Sequence, residues 1–197
     1  MRGKVAAASA YHRQCRLKKT LHACEKDTAR VRQARRQYRR KIARYTTRRL
    51  KFIDEAGCNI AMTRRRGRAK LGVRAEDAVP KNFGRNVAVL QALSCHGLEA
   101  VMTVDSATDA AVFLTYLNHV LIPTLRPGDV VVMDNLSAHK VAGIAQAIEG
   151  AGATLMYLPP YSPEFSPIEN CWSKPKTKLR SAKARIRQAL RGQRFDG

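Results

Sequence analysis

The sequence is poor in acid. Its 197 residues carry 15 Asp and Glu against 37 Lys and Arg, a formal net charge of +22. Such an imbalance marks a chain that binds polyanions, with nucleic acid the foremost candidate. It has no run of about 18 apolar residues, which argues against a helical membrane span. The opening stretch MRGKVAAASAYHRQC has an alanine cluster but no apolar signal-peptide core, so neither export nor anchoring is expected. Paired cysteines are missing too. Cys15, Cys24, Cys58, Cys95 and Cys171 are odd in number and form no C-x-x-C. That argues against a zinc site or a disulfide framework, and for a reducing cytoplasm. No internal repeat occurs, nor a linker long enough to split off a second globular domain.

What is present is unevenly placed. Residues 1–49 hold 17 Lys and Arg and only two acids, Glu25 and Asp27, leaving +15 of the +22 in the first quarter. Within them DTARVRQARRQYRRKIARYTTRR offers a thin apolar stripe (Val31, Ala34, Tyr38, Ile42) at helical spacing, with Asp27 or Thr28 to cap it. So narrow a stripe buries little and predicts an exposed basic helical arm. Its Arg35, Arg36, Arg39 and Arg40 are candidate contacts to DNA phosphates.

From Leu50 the texture is globular. LKFID reads as a short strand ending at Asp54 and Glu55. NIAMTRRRG reads as a returning strand that ends in the basic cluster Arg64, Arg65, Arg66 and Arg68. NVAVLQALS and LEAVMTVD read as strands joined at His96-Gly97. A helical pattern over DAAVFLTYLNHVLIPTL closes at Pro123. DVVVMDN has the continuous apolar run of a strand covered on both faces. KVAGIAQAIEGAG is a helix with a glycine stop, TLMYLP another strand, and PIENCWSK starts a last helix at Pro167. Three antiparallel strands followed by alternating helix and strand make a mixed α/β layer.

Three acids sit where this layout places chemistry. Asp54 closes the first strand, Asp134 the most apolar one, and Glu169 stands in the first turn of the last helix. If the two strands are neighbours, both aspartates meet at one sheet edge, and a helix crossing that edge adds the glutamate. Converging carboxylates form a hard oxygen site suited to Mg²⁺ or Mn²⁺. Two such ions suit phosphoryl displacement on a polyanion. Glu55 alternates to the other face, so Asp54 is the favoured ligand. Four prolines (Pro159, Pro160, Pro163, Pro167) stiffen LPPYSPEFSPIEN, which delivers Glu169. Trp172, the sole tryptophan, reads as packing that fixes this helix, and Asn135 as a turn cap or an orienting group for a ligand.

FIDEAG, VVMDNLSAHK and LPPYSPEFSPIENCWSKPKTKLR together resemble the DDE transposases of bacterial insertion sequences, in the branch related to mariner elements. The resemblance runs from about Lys18 to about Arg180. It implies a ribonuclease-H-like fold over 50–180, with the basic arm at 1–49 and a basic tail at 181–197. Asp54, Asp134 and Glu169 match the catalytic, metal-binding triad, with Mg²⁺ or Mn²⁺, two ions, as cofactor. The implied activity is strand cleavage and strand transfer on double-stranded DNA by a homodimer in the bacterial cytoplasm, near the nucleoid. His139 and Lys140, in the second block, are candidates for positioning DNA. Family members carry a helix-turn-helix region that the first fifty residues do not show, so an N-terminally truncated frame is expected. A catalytically inactive, DNA-binding remnant is the alternative. Pro175, counted from Pro167, falls in a third helical turn, where a kink is expected. Ser166, where the family typically has Asn, is expected to cap the last helix.

Overall fold

The computed structural model describes residues 24–59, 61–63, 67–78, 81, 86–135 and 143–182. Five strands, β1 (Leu50–Cys58), β2 (Val87–Ser94), β3 (Gly97–Val104), β4 (Val130–Met133) and β5 (Thr154–Tyr157), form one sheet in the order β3-β2-β1-β4-β5. β1, β2 and β3 pair antiparallel, whereas β4 runs parallel to both β1 and β5. The helices are α1 (Ala29–Ile42), α2 (Ala110–Tyr116), α3 (Ile144–Gly150), α4 (Ile168–Cys171) and α5 (Ser173–Ala182).

Local chemistry explains most of these bounds. The VVVM of β4 is fully buried, as an apolar run covered on both faces must be. Asp109 caps α2 by accepting from the Val112 N–H at 2.8 Å. The helix widens over Leu117–Leu121 and closes at Ile122–Thr124, where Pro123 cannot donate. After α3 the chain turns at Gly152 with φ +75; a Cβ there would sit 3.3 Å from Pro127 Cα.

The sheet buries both faces. Ile53, Leu90 and Met133 pack on one side against Phe113, Tyr116, Leu117, Ile144 and Ile148. On the other side Phe52, Val130 and Val132 meet Tyr38, Leu158 and Ile168. Tyr38 belongs to α1, so the arm is not wholly exposed: one side packs onto the sheet, with Val31 1% exposed and Tyr38 6%, while its arginine-rich side faces out. The expectation failed because the thin stripe finds partners far away in sequence. Tyr38 stacks on Phe165, with centroids 5.4 Å apart and an interplanar angle of 8°.

Four further expectations are corrected. β1 does not stop at Asp54 and Glu55 but pairs with β2 as far as Cys58↔Val87. Its polar middle resembles a strand end, yet Ala56 and Cys58 beyond it are buried under Trp172. NIAMTRRRG holds no strand among its described residues, and β2 is the true partner of β1. The chain also breaks between α4 and α5 at Trp172, ahead of Pro175. Pro175 therefore falls in the first turn of α5, where no backbone donor is required, and not in a helix interior. Ser166 makes no side-chain capping bond; Pro167 occupies the cap of α4. At the N-terminus Thr28 is the cap of α1.

Candidate active site

The ladder between β1 and β4 aligns Leu50 with Val130 and Phe52 with Val132. Two residues past Phe52 comes Asp54, still within β1, and two past Val132 comes Asp134, one residue beyond the end of β4. Strand alternation puts Asp54 on the face of Phe52 and Ala56, the side covered by α1 and α4. Glu55 takes the opposite face and is exposed.

Glu169 arrives through the proline-rich segment from Leu158 to Ser166, which is strapped down at several points. Ser162 is buried; its Oγ donates to the Pro160 carbonyl at 2.9 Å and accepts from Arg35 Nη1 at 2.6 Å. Pro163–Phe165 forms one tight turn. Glu164 receives Lys26 at 2.8 Å and Arg35 at 2.6 Å. Burial pushes the Glu164 carboxyl up, but these two hydrogen bonds outweigh it and bring the group down to about 2. The Arg35 guanidinium also lies over the Phe165 ring, 4.5 Å from its centroid.

Asp54, Asp134 and Glu169 all line one cleft of about 500 Å³, with Asn135, Ser162 and Arg30. Asp54 is partly buried, and desolvation pushes its pKa up to about 6. The Glu55 backbone N–H and the Trp172 side chain oppose that shift, while the Glu169 and Asp134 charges add to it. The Trp172 Nε1–H donates to Asp54 Oδ2 at 2.6 Å. Trp172, 3% exposed and expected only to pack, thus also fixes a carboxylate. Its spacing of three from Glu169 was the available signal, since residues i and i+3 share a helix side.

The donor set fits a divalent cation. Its functional groups are carboxylates, and an ion between them would relieve the mutual repulsion that helps to raise Asp54. Among the described residues no three His, Cys, Asp or Glu side chains are already arranged to hold one. Like charges repel, so three carboxylates are not expected to close up ahead of the ion.

The basic residues divide. Arg35 is turned inward onto the strap, and Arg39 lies 5.0 Å from the Phe165 ring centroid. Arg36, Arg40 and Arg68 are exposed. Arg64, Arg65, Arg66, His139 and Lys140 lie outside the described residues. Arg30, which sequence reasoning passed over, is the one cation among the cleft's described lining residues. Among the described residues no helix is long and apolar enough to cross a membrane.

A mixed sheet in this order, with acids at the end of its central parallel pair, defines a ribonuclease-H-like domain of the kind that cuts phosphodiesters. Residues 49–191 match the model of the DDE superfamily endonucleases, and the chain belongs to that family, an enzyme family of DDE transposases and endonucleases. Similar solved structures share the fold. The Mos1 strand transfer complex matches at 16% identity and TM-score 0.67, covering 95% of this chain and 60% of that one. The mariner Mos1 paired end complex with Mg matches at 18% and 0.63, covering 98% and 59%. The catalytic domain of Mos1 mariner transposase matches at 14% and 0.55, covering 91% and 79%. The chain therefore spans about 60% of the longer Mos1 chains. Comparison with curated proteins finds no match.

Proposed function

We propose that this chain is the catalytic part of a mariner-related insertion-sequence transposase, cleaving double-stranded DNA and joining its 3′ ends to a target. Asp54, Asp134 and Glu169 are the residues that would hold Mg²⁺ or Mn²⁺, in a two-ion arrangement. The observation that carries this reading is their placement in one cleft from three separate elements. Ions bound there would lower the pKa of an attacking water and stabilise the leaving oxygen. The chain's own residues set the geometry. Trp172 holds Asp54 by one oxygen, the end of β4 delivers Asp134 to the same cleft, and the anchored strap presents Glu169. Arg30 adds a positive charge beside the phosphate's seat, and the exposed arginines of α1 hold the duplex through its backbone. The similar Mos1 structures include paired end complexes with Mn and with Mg, which supports a homodimer on DNA and a divalent cofactor for this chain.

The rival reading, DNA binding without cleavage, rests on the net charge of +22, which suffices by itself for phosphate contacts. Nicking of a duplex by purified protein decides between them. We expect Mg²⁺-dependent nicks from the wild type and at least a hundredfold fewer from Asp134→Asn, on the scale that loss of an electrostatic stabiliser brings. Equal nicking by both proteins would refute the endonuclease reading.

A further inference from the structure

Gln91 lies directly opposite Asp54 in the antiparallel ladder between β1 and β2. Residues facing each other in this way share a side of the sheet, with Cβ atoms about 4.5–5.5 Å apart. The clusters on that side agree: Val89 packs near Ala56 and Trp172, and Leu93 near Phe52. Gln91 is fully buried, yet neither its Oε1 nor its Nε2 has a hydrogen-bond partner among the described residues. A buried amide without partners is rare and destabilising, so its presence asks for a reason. Its strand gives a second clue. The pairing of β2 with β3 shifts between Leu90 and Ala92, so Gln91 itself sits at the irregularity. Bulges of this kind re-aim side chains beside active sites.

The alternatives are weaker. A packing role would suit Leu or Met better, since the neighbours are apolar. A sheet-stabilising role would need the amide bonded, and it is not. Asp54, by contrast, accepts from Trp172 on Oδ2 and from the Glu55 backbone N–H, which leaves a carboxylate with lone pairs to spare, and it lines the cleft with Asp134 and Glu169.

We propose that Gln91 is a positioning residue for Asp54: its Nε2–H donates to the second carboxylate oxygen once a divalent ion draws that carboxylate into place. Trp172 and Gln91 then bracket one ligand from two sides, which is how outer partners orient metal-binding side chains. The inference rests on Asp54 being a metal ligand, as proposed above.

Trp172 supplies the test. It is the only tryptophan in the sequence and touches Asp54 directly, so its fluorescence reports ion binding without any need for turnover. Wild type, Gln91→Leu and Gln91→Glu would be titrated with Mn²⁺, and each melted without metal. For Gln91→Leu we expect Mn²⁺ affinity to fall about 10–100-fold, while the metal-free Tm rises because the orphaned amide is gone. A residue that only packs would move both readouts in the same direction. Unchanged Mn²⁺ affinity in a folded Gln91→Leu, or a fall in both affinity and Tm, would overturn the proposal. Gln91→Glu guards against misfolding of the leucine variant: it places another anion beside Asp54, and its Mn²⁺ titration must differ from wild type. If the wild-type fluorescence itself ignores Mn²⁺ at every concentration, the metal reading of Asp54 falls first, and this inference with it.

Discussion

Asp54 sits partly buried in the middle of a strand with two other carboxylates nearby, and its pKa is raised to about 6 in consequence, even though the Trp172 indole bonds one oxygen. Near neutral pH the folded protein holds an anion that water would solvate better, a tension typical of sites built for chemistry. Asp54→Asn keeps an acceptor for Trp172 while removing the charge. We expect the metal-free variant to be more stable than wild type at pH 8 by about 1–2 kcal/mol, allowing for partial exposure, as read from denaturant unfolding. A loss of stability there would mean that the carboxylate is structurally required. Tyr38 offers a milder case. Its hydroxyl is buried without a partner among the described residues, and burial pushes its pKa up to about 12. Tyr38→Phe preserves the ring stack on Phe165 and should raise stability by about 1 kcal/mol.

At the level of elements, the arm and the strap behave as one unit. Lys26 and Arg35 from the arm hold Glu164, Arg35 also holds Ser162, and Tyr38 and Arg39 cover Phe165, all within a few residues of Glu169. Arg35→Ala should destabilise the protein by about 1–2 kcal/mol and expose the strap to proteolysis, because it removes two hydrogen bonds and a cation–π contact together. The pH dependence follows from Glu164, whose folded pKa of about 2 lies below its ordinary value of 4.5. Its contribution is complete above about pH 4.5 and is lost as the pH falls toward 2; Glu164→Gln should flatten that part of the stability curve. Here the sequence was only partly readable. The prolines announced a stiff segment before Glu169, and local composition located β2, β3, β4, β5 and offered Thr28 as a cap, though it misplaced one at Ser166. That one side of α1 packs onto the domain was not readable, because Phe165 stands 127 residues from Tyr38 in the chain, and periodicity sees only one element at a time. The continuation of β1 past Asp54 was hidden for the same reason: its partners lie on β2 and under Trp172.

Across the whole molecule, a charge of +22 and a cleft lined by three acids pull in opposite directions, and a polyanionic substrate bridged by cations reconciles them. DNA affinity should fall steeply and linearly in log K against log salt, with nearly the same slope for wild type and Asp134→Asn, because phosphate contacts outside the cleft dominate it. That Asp54, Asp134 and Glu169 would share one cleft was readable from the ends of apolar runs and from motif resemblance. Gln91 and Arg30 were not, since an amide in a strand and one arginine among many carry no local signature. The fold makes them matter, by setting Gln91 opposite Asp54 and turning Arg30 into the cleft.

The central claim is that Asp54, Asp134 and Glu169 form one metal site, and Mn²⁺ binding measured by calorimetry across the wild type, Asp54→Asn, Asp134→Asn and Glu169→Gln tests it most directly. The account predicts saturable binding to the wild type and a loss of about tenfold or more in each folded variant, as expected when an ion loses one of its few carboxylate ligands. Wild-type affinity retained in any one of the three variants would remove that residue from the site, and no binding to the wild type would contradict the account altogether.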